Sequence, residues 1–187
     1  MDTLVYQDKA FAKLKIIFGE ENVKKEWDVA KDSRDDYGRH LYCPRIDIAV
    51  GPFNISREII RDNQKIQSAI ERHNNFIEQL VAKSETLVGD TNYLLRSKNK
   101  NPRCFLAIEL ENSGSRKHLL GDIANVSIIG AFGIVVAMND SKLKAFKRIK
   151  EYINFATQVQ KLPETFNNVV VLNQDKFMDI CESIGNI

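Results

Sequence analysis

The sequence has little cysteine, and no spacing of its cysteines suggests a metal site or a disulfide framework. The 187 residues include three cysteines, Cys43, Cys104 and Cys181, which are widely separated and odd in number. No CxxC pair and no Cys/His zinc spacing occurs. We therefore expect a reduced, intracellular protein, and we expect it in the cytoplasm.

Long apolar runs are also lacking. The most apolar stretch, Val126–Met138, is about half of the roughly 20 residues that a membrane span needs. The first ten residues, MDTLVYQDKA, lack the apolar core of a secretory leader. We therefore expect no membrane partner.

Strong net charge and the common catalytic motifs are absent as well. The formal net charge of +2 neither indicates nor excludes nucleic-acid binding, because local patches matter more than the sum. No Walker loop, GxGxxG motif or serine or cysteine nucleophile motif is found. The hydrophobic content of 43% and charged content of 28% are ordinary for a globular protein, and the length suits one domain spanning 1–187.

Hydrophobic periodicity predicts helices and strands in mixed order. The predicted helices are Tyr6–Phe18, Ser56–Leu80 (one helix or a pair), Asp90–Arg96 (a short helix or turn), Arg116–Ile129 with Ser115 as N-cap, Ser141–Gln160 and Asp175–Ile184. The predicted strands are Asn22–Ala30, Arg45–Val50, Phe105–Leu110, Ile134–Met138 and Asn168–Leu172. Gly130 and Gly133 are interpreted as turn residues. This order predicts an α/β fold: a mixed central β-sheet flanked by helices, with a helical insertion at about residues 55–97.

Three carboxylates occupy strands that are otherwise apolar. Asp47 lies within RIDIAV, and Glu109 and Glu111 lie within FLAIELE. Acids are depleted from strands and costly to bury unpaired. Glu109 and Glu111 project to one face, about 7 Å apart along the strand. If the strand of Asp47 is their neighbour, the three acids converge, and clustered oxygen donors of this kind suit Mg²⁺ or Mn²⁺. The alternative for each acid alone is a solvated or ion-paired surface carboxylate.

The segments PRIDIAV and FLAIELE, with an amphipathic helix after the second, resemble the PD-(D/E)xK nuclease superfamily, which includes many restriction endonucleases. The resemblance implies a restriction-endonuclease-like core. Pro44 and Asp47 would form the PD element, and Glu109-Leu110-Glu111 the ExK element. Glu111 stands where the superfamily most often has Lys, although some of its restriction enzymes have Glu there. Lys117, on the following helix, is a candidate replacement for that Lys.

The resemblance also implies the roles of these residues. One or two Mg²⁺ (or Mn²⁺) ions would be held by Asp47, Glu109 and the Leu110 carbonyl, the last from the resemblance alone. Glu111, with Lys117, would orient or deprotonate the attacking water. The superfamily often places a further acid in its first helix. Because Tyr6–Phe18 contains no Glu, the candidates for this acid are Glu20 and Glu21, just after the helix.

Contacts to DNA, the expected partner, are predicted from basic and polar residues near these strands. The predicted set is Arg96, Lys98, Lys100 and Arg103 in the loop before the acidic strand, and Asn125 on the helix after it. Phosphate contacts of this kind set affinity without reading sequence. The lysines of the late helix, Lys142 to Lys150, form a second basic cluster with the same potential for phosphate contacts, but a solvated face is the favoured interpretation for them. A homodimer is expected, because cutting both strands of a duplex takes two sites.

Three functions remain open from the sequence. The first is a metal-dependent DNA endonuclease, with restriction or defence as its expected setting. The second is a nuclease-like fold without catalysis, acting as a nucleic-acid-binding or assembly subunit, which Glu111 in place of Lys favours. The third is an unrelated α/β protein whose acids are structural.

Overall fold

The structure, a computed structural model, describes residues 2–29, 44–53, 59–162 and 164–185. Its strands are β1 (Val23–Asp28), β2 (Arg45–Val50), β3 (Cys104–Glu111), β4 (Gly130–Ala137) and β5 (Val169–Asn173). Its helices are α1 (Thr3–Phe18), α2 (Ile59–Arg72), α3 (Asn74–Lys83), α4 (Thr91–Arg96), α5 (Arg116–Ile129), α6 (Asp140–Gln158) and α7 (Gln174–Gly185).

The described strands form one mixed sheet in the order β1-β2-β3-β4-β5. The first three strands are antiparallel, and β3, β4 and β5 run parallel. The predicted α/β class and mixed sheet are therefore confirmed. The crossover from β3 to β4 is made by α5, whose predicted bounds and N-cap are also confirmed.

Helices cover both faces of the sheet and enclose two apolar clusters. On one face, α1, α2, α3 and α7 pack against alternate strand residues such as Ile48 and Ile108. On the other face, α5 and α6 pack against the residues in between, including Ala49, Ala107 and Val135. Strand alternation of this kind sends successive side chains to opposite layers. Asp47 lies two residues before Ala49, and Glu109 lies two residues after Ala107. Both acids therefore lie on the sheet face that α5 covers.

The turn prediction is wrong for Gly133, which lies inside β4, whereas Gly130 does mark the junction of helix and strand, as the C-cap of α5 and the first residue of β4. A Cβ at Gly133 would stand 2.6 Å from Val126 Cγ2 and 3.0 Å from the Val126 main-chain carbon. A Cβ at Gly130 would meet the Ala107 nitrogen at 2.8 Å. Both glycines permit close packing of α5 and β3 against β4, and Gly133 marks no chain reversal.

The helices predicted at about residues 55–97 are present as α2, α3 and α4, with α2 and α3 separated at His73. Ser56 and the first residues of the predicted insertion lie outside the described residues, as does Cys43. Buried residues of α3, among them Phe76, Ile77 and Leu80, join the main core. Within the described part of the chain, no helix is long and apolar enough to cross a membrane.

Candidate carboxylate site

The pairing of β2 with β3 brings Asp47 beside Glu109. Ile48 lies opposite Ile108 in this antiparallel pair, so the next positions along the two strands are Asp47 and Glu109. Asp47 Oδ2 accepts the Leu110 N–H at 2.8 Å. The two strands are thus neighbours, as convergence of the acids requires.

Burial and mutual charge favour the protonated forms of this pair. Glu109 is only 8% exposed, and burial, followed by the charge of Asp47, raises its pKa to about 10. Burial also raises the pKa of Asp47, while the Leu110 N–H and a hydrogen bond with Glu109 oppose that rise. Glu109 therefore holds the proton and donates it toward Asp47, because two adjacent buried carboxylates cannot both ionise at low cost.

Glu111 ends β3 and folds back onto the turn before α5. Its Oε1 accepts the N–H of Ser113 at 2.6 Å and that of Gly114 at 2.5 Å. A Cβ at Gly114 would stand 2.8 Å from the Glu111 carboxyl carbon and still closer to its Oε2. The absence of a side chain at Gly114 therefore lets the carboxylate lie against the turn.

Asp122, on α5, is a fourth member of the cluster. Its Oδ2 is buried without a hydrogen-bond partner among the described residues. Burial raises the pKa of Asp122 to about 7, with further contributions from the charges of Glu111 and Asp47 and a hydrogen bond with Glu111. Asp122 lies on the apolar side of α5, between the buried residues Leu119 and Ile123. An acid is costly to bury there, so this position in the sequence indicates a candidate site residue. Among the described residues no hydrogen bond joins Asp122 to His118, one helical turn earlier; His118 Nδ1 instead accepts the N–H of the N-cap residue Ser115.

Gln7 of α1 and Glu26 of β1 complete the surroundings. Gln7 is buried, and its Nε2 donates to Glu26 Oε1 at 2.9 Å and to the Asp47 carbonyl at 3.1 Å. Glu26 has a φ of 51°, in the left-handed region, and pairs with Arg45 Nε at 2.9 Å. Left-handed backbone at a non-glycine residue is strained and is retained where the surroundings impose it. No sequence signal pointed to Gln7.

The turn that carries Glu111 is tied to the start of α6. Asn139 Nδ2 donates to the Asn112 carbonyl at 2.9 Å, and Lys142 Nζ donates to the Gly114 carbonyl at 2.6 Å. The Met138 N–H donates to the Glu111 carbonyl. Glu111 is thus held by main-chain and side-chain contacts on both sides of the turn.

Some predicted site residues are not brought to the cluster. Glu20 is exposed and paired with Lys15 at 2.8 Å, and Glu21 accepts from Asn22. Both precede β1, at the end where Val23 faces Val50, away from Asp47. Lys117 is exposed and lines a groove between α5 and α6. No ion pair joins Lys117 to the cluster in the described ranges.

The predicted nucleic-acid contacts also lie apart from the acids. The loop carrying Arg96, Lys98, Lys100 and Arg103 precedes β3, about 20 Å from Glu109 by the rise of a strand. Three of these residues line a separate hollow of 590 Å³: Arg96, Lys98 and Lys100. Asn125 is half-buried, one helical turn beyond Asp122. The phosphate contacts predicted for this loop stay a prediction.

The prediction that the lysines of the late helix, α6, face solvent is wrong for one of them. Lys150 is 1% exposed, and its Nζ donates to the Phe166 carbonyl at 2.7 Å. Burial lowers its pKa to about 8. Leu120, on α5, is 47% exposed, because the α5–α6 groove leaves it uncovered.

The donor set of the cluster suits a hard divalent cation, although the acids bond mainly to one another and to the main chain. Four carboxyls and an unpartnered Asp122 oxygen offer oxygen ligands of the kind that Mg²⁺ and Mn²⁺ prefer. Among the described residues, no group of three or more His, Cys, Asp or Glu side chains stands at ligand spacing. Comparisons with protein-family models, curated proteins and solved structures find no match to this chain.

Proposed function

We propose that this protein is a metal-dependent DNA endonuclease that hydrolyses phosphodiester bonds and has the carboxylate cluster as its active site. The observation that carries the proposal is the convergence of Asp47, Glu109, Glu111 and Asp122 in a partly buried place. Burial and mutual repulsion raise the pKa of three of them. Such an arrangement costs stability, and perturbed acids of this kind are typical of functional sites.

The order of elements around the cluster supports the same proposal. The resemblance to the PD-(D/E)xK superfamily implies an Asp on one strand of a hairpin and an acidic motif on the next. A helix and a further strand then follow. β2, β3, α5 and β4 occur in that order. In this proposal the core is restriction-endonuclease-like, and α2 to α4 form its insertion.

Asp47, Glu109 and the Leu110 carbonyl would hold Mg²⁺ or Mn²⁺. When bound, the cation supplies positive charge that offsets the phosphate and acidifies water. Glu111 would orient the attacking water and accept its proton, with Oε1 held by the turn and Oε2 left as the acceptor. Glu109 holds one proton of the cluster. Asp122 would hold a second proton, in its hydrogen bond with Glu111. Lys117 would contribute only after moving toward the acids.

The proposal includes two expectations about the protein's setting. It acts on DNA in the cytoplasm, and the two described cysteines, Cys104 and Cys181, are free and buried, as a reducing compartment allows. It acts as a homodimer, because each site cuts one strand.

A second function is a nuclease-like subunit that binds nucleic acid without cutting it. Two observations favour it: Glu111 occupies the usual place of a catalytic Lys, and the described acids do not already form a group at ligand spacing.

Cleavage assays separate the two functions. Plasmid and linear DNA would be incubated with the protein and Mg²⁺, Mn²⁺ or EDTA, beside Asp47→Asn, Glu111→Gln and the control Glu20→Gln. We expect metal-dependent cutting that falls by about 100-fold or more in the first two variants and is unchanged in the control. Salt-sensitive DNA binding without cutting supports the second function. If both site variants cut DNA as fast as the original protein, the carboxylate cluster is not the active site.

A further inference from the structure

A groove of 1120 Å³ runs between α5 and α6, the two helices that cover the sheet face carrying Asp47 and Glu109. One end is formed by Gly114 and Ser115, in the turn that holds the Glu111 carboxylate. The lining continues along both helices to Leu162 and Phe166. From Ser141 to Ile153 the α6 wall is about 18 Å long by the rise of a helix. The groove therefore leads from the carboxylate site across the surface.

The charge of the groove has a single sign. Its cationic lining residues are Arg116, Lys117, Lys142, Lys144 and Arg148, and none of the described lining residues is acidic. Lys142 is fixed at the end nearest the acids by its bond to the Gly114 carbonyl. The N-termini of α5 and α6 lie at this same end, because both helices follow the carboxyl ends of parallel strands, and their dipoles add positive potential there. An anionic ligand is the complement of such a surface.

Apolar surface lies beside these cations. Leu119 and Ile153 are buried, whereas Leu120 is 47% and Tyr152 is 67% exposed. Lys144, Arg148 and Tyr152 follow one another at four-residue steps on α6, so two cations and an aromatic ring share one face. A ligand that fills the groove therefore needs both anionic groups and flat apolar groups along its length.

We propose that the groove binds a single-stranded segment of nucleic acid that continues from the strand cut at the carboxylate site. Single strands offer phosphates to the cations and unstacked bases to Tyr152 and Leu120, whereas a duplex keeps its base faces stacked inside. The inference rests on the proposed function, because the strand in the groove is the one that enters the site. Continuity with that site favours nucleic acid over an acidic helix of a partner protein. The preferred substrate is then a duplex with a single-stranded tail.

Binding is tested first, in EDTA, by fluorescence anisotropy of a labelled oligothymidine and of a duplex of equal length. The variants are Lys144→Glu and Tyr152→Ala, with Lys9→Glu as the control. Lys9 is exposed on α1, on the opposite side of the sheet from the groove. Lys9→Glu changes the net charge by the same amount as Lys144→Glu. We expect the single strand to bind more tightly than the duplex. Tyr152→Ala should weaken single-strand binding by about fivefold or more, the low end of a stacking contribution. Lys144→Glu should weaken it by about as much, because it places an anion beside the phosphates. The control should bind like the original protein, and circular dichroism verifies that all three fold.

Cleavage of tailed and blunt duplexes then separates this inference from the proposed function. Preference for the tailed substrate that disappears in both groove variants supports the inference. If the original protein cuts DNA while the groove variants bind and cut as it does, the groove inference is overturned and the nuclease remains. If single strands bind through the groove but no DNA is cut with any metal, the nuclease is overturned and the binding remains. Groove variants that change only self-association, measured by sedimentation, would reassign the groove to contacts between copies and overturn the inference.

Discussion

Asp47 and Glu109 face each other across the β2–β3 pair and share one proton between their carboxyl groups. The Leu110 N–H donates to Asp47, which places the negative charge on Asp47 and the proton on Glu109. The apolar layer under α5 removes the water that would otherwise screen a second charge. This pair makes the site sensitive to pH, and the cation of the proposed function would relieve the repulsion between the two carboxyls.

The first prediction concerns the pH dependence of stability without metal. Folded Glu109 keeps its proton to a pKa of about 10 and folded Asp122 to about 7, whereas both lose it at ordinary carboxyl values when unfolded. The unfolded state therefore binds fewer protons between these limits, so the free energy of unfolding falls as pH rises. Tm measured in EDTA should decrease from about pH 5 to about pH 9. Glu109→Gln should flatten the decrease, and an equally steep decrease in that variant would contradict the assignment.

The second prediction concerns Asp122. Asp122→Asn removes a charge that faces Glu111, so at about pH 8 the metal-free Tm should rise. The same change removes a candidate oxygen ligand, so the additional rise of Tm on adding Mg²⁺ should shrink. Glu151→Gln, at an exposed acid of α6, is the matched control and should change neither quantity. An undiminished response to Mg²⁺ in Asp122→Asn would exclude Asp122 from cation binding.

The third prediction tests Glu111 without replacing it. In Gly114→Ala the new methyl group would occupy the place of the Glu111 carboxylate, which can swing away because it ends a flexible side chain. We expect little loss of stability but a loss of cleavage comparable to that of Glu111→Gln, measured by initial rates on plasmid. Full activity in Gly114→Ala would show that the observed Glu111 position is not the working one.

The fourth prediction concerns the packing of α5 on β4. Gly133→Ala would place a methyl group against Val126, including its main chain, and should cost about 1–3 kcal/mol of unfolding free energy. Gly121→Ala, within α5 itself, adds a Cβ that meets nothing within 4 Å and should stabilise by about 0.5–1 kcal/mol, because alanine suits a helix interior better than glycine. Urea denaturation of both variants measures the difference. Similar effects of the two would contradict the close approach at Gly133.

The fifth prediction concerns Gln7. Gln7→Leu removes the donor that Glu26 and the Asp47 carbonyl share, leaving acceptors unsatisfied at a cost of about 1–3 kcal/mol. The Asp47 strand should also lose its fixed position, so cleavage should fall. Asp8→Asn, at the next and exposed residue, removes only a surface ion pair with Lys25 and should cost less than about 1 kcal/mol. Equal costs for the two variants, measured by urea denaturation, would rule out this role for Gln7.

Local patterns predicted much of the fold. The bounds of β2 and α5 agree with the sequence prediction, because alternation in RIDIAV and helical spacing after Ser115 are signals contained within a few residues. Trp27, within the predicted strand Asn22–Ala30, is buried. Gly133 was the misleading signal: it looks like a turn residue in isolation, but its role is set by the close approach of Val126.

The sequence by itself determined that acids stand in strands that ought to be apolar, and that a helix follows them. That much is local, since each residue's neighbours along the chain establish it. Only the tertiary structure decided that Asp47 faces Glu109, that Asp122 and Gln7 join them, and that Lys117 turns toward a groove. It also placed the basic loop at the far end of β3. The physical reason is that strand register, helix rotation and the length of a strand set these distances, and each depends on how separate elements pack.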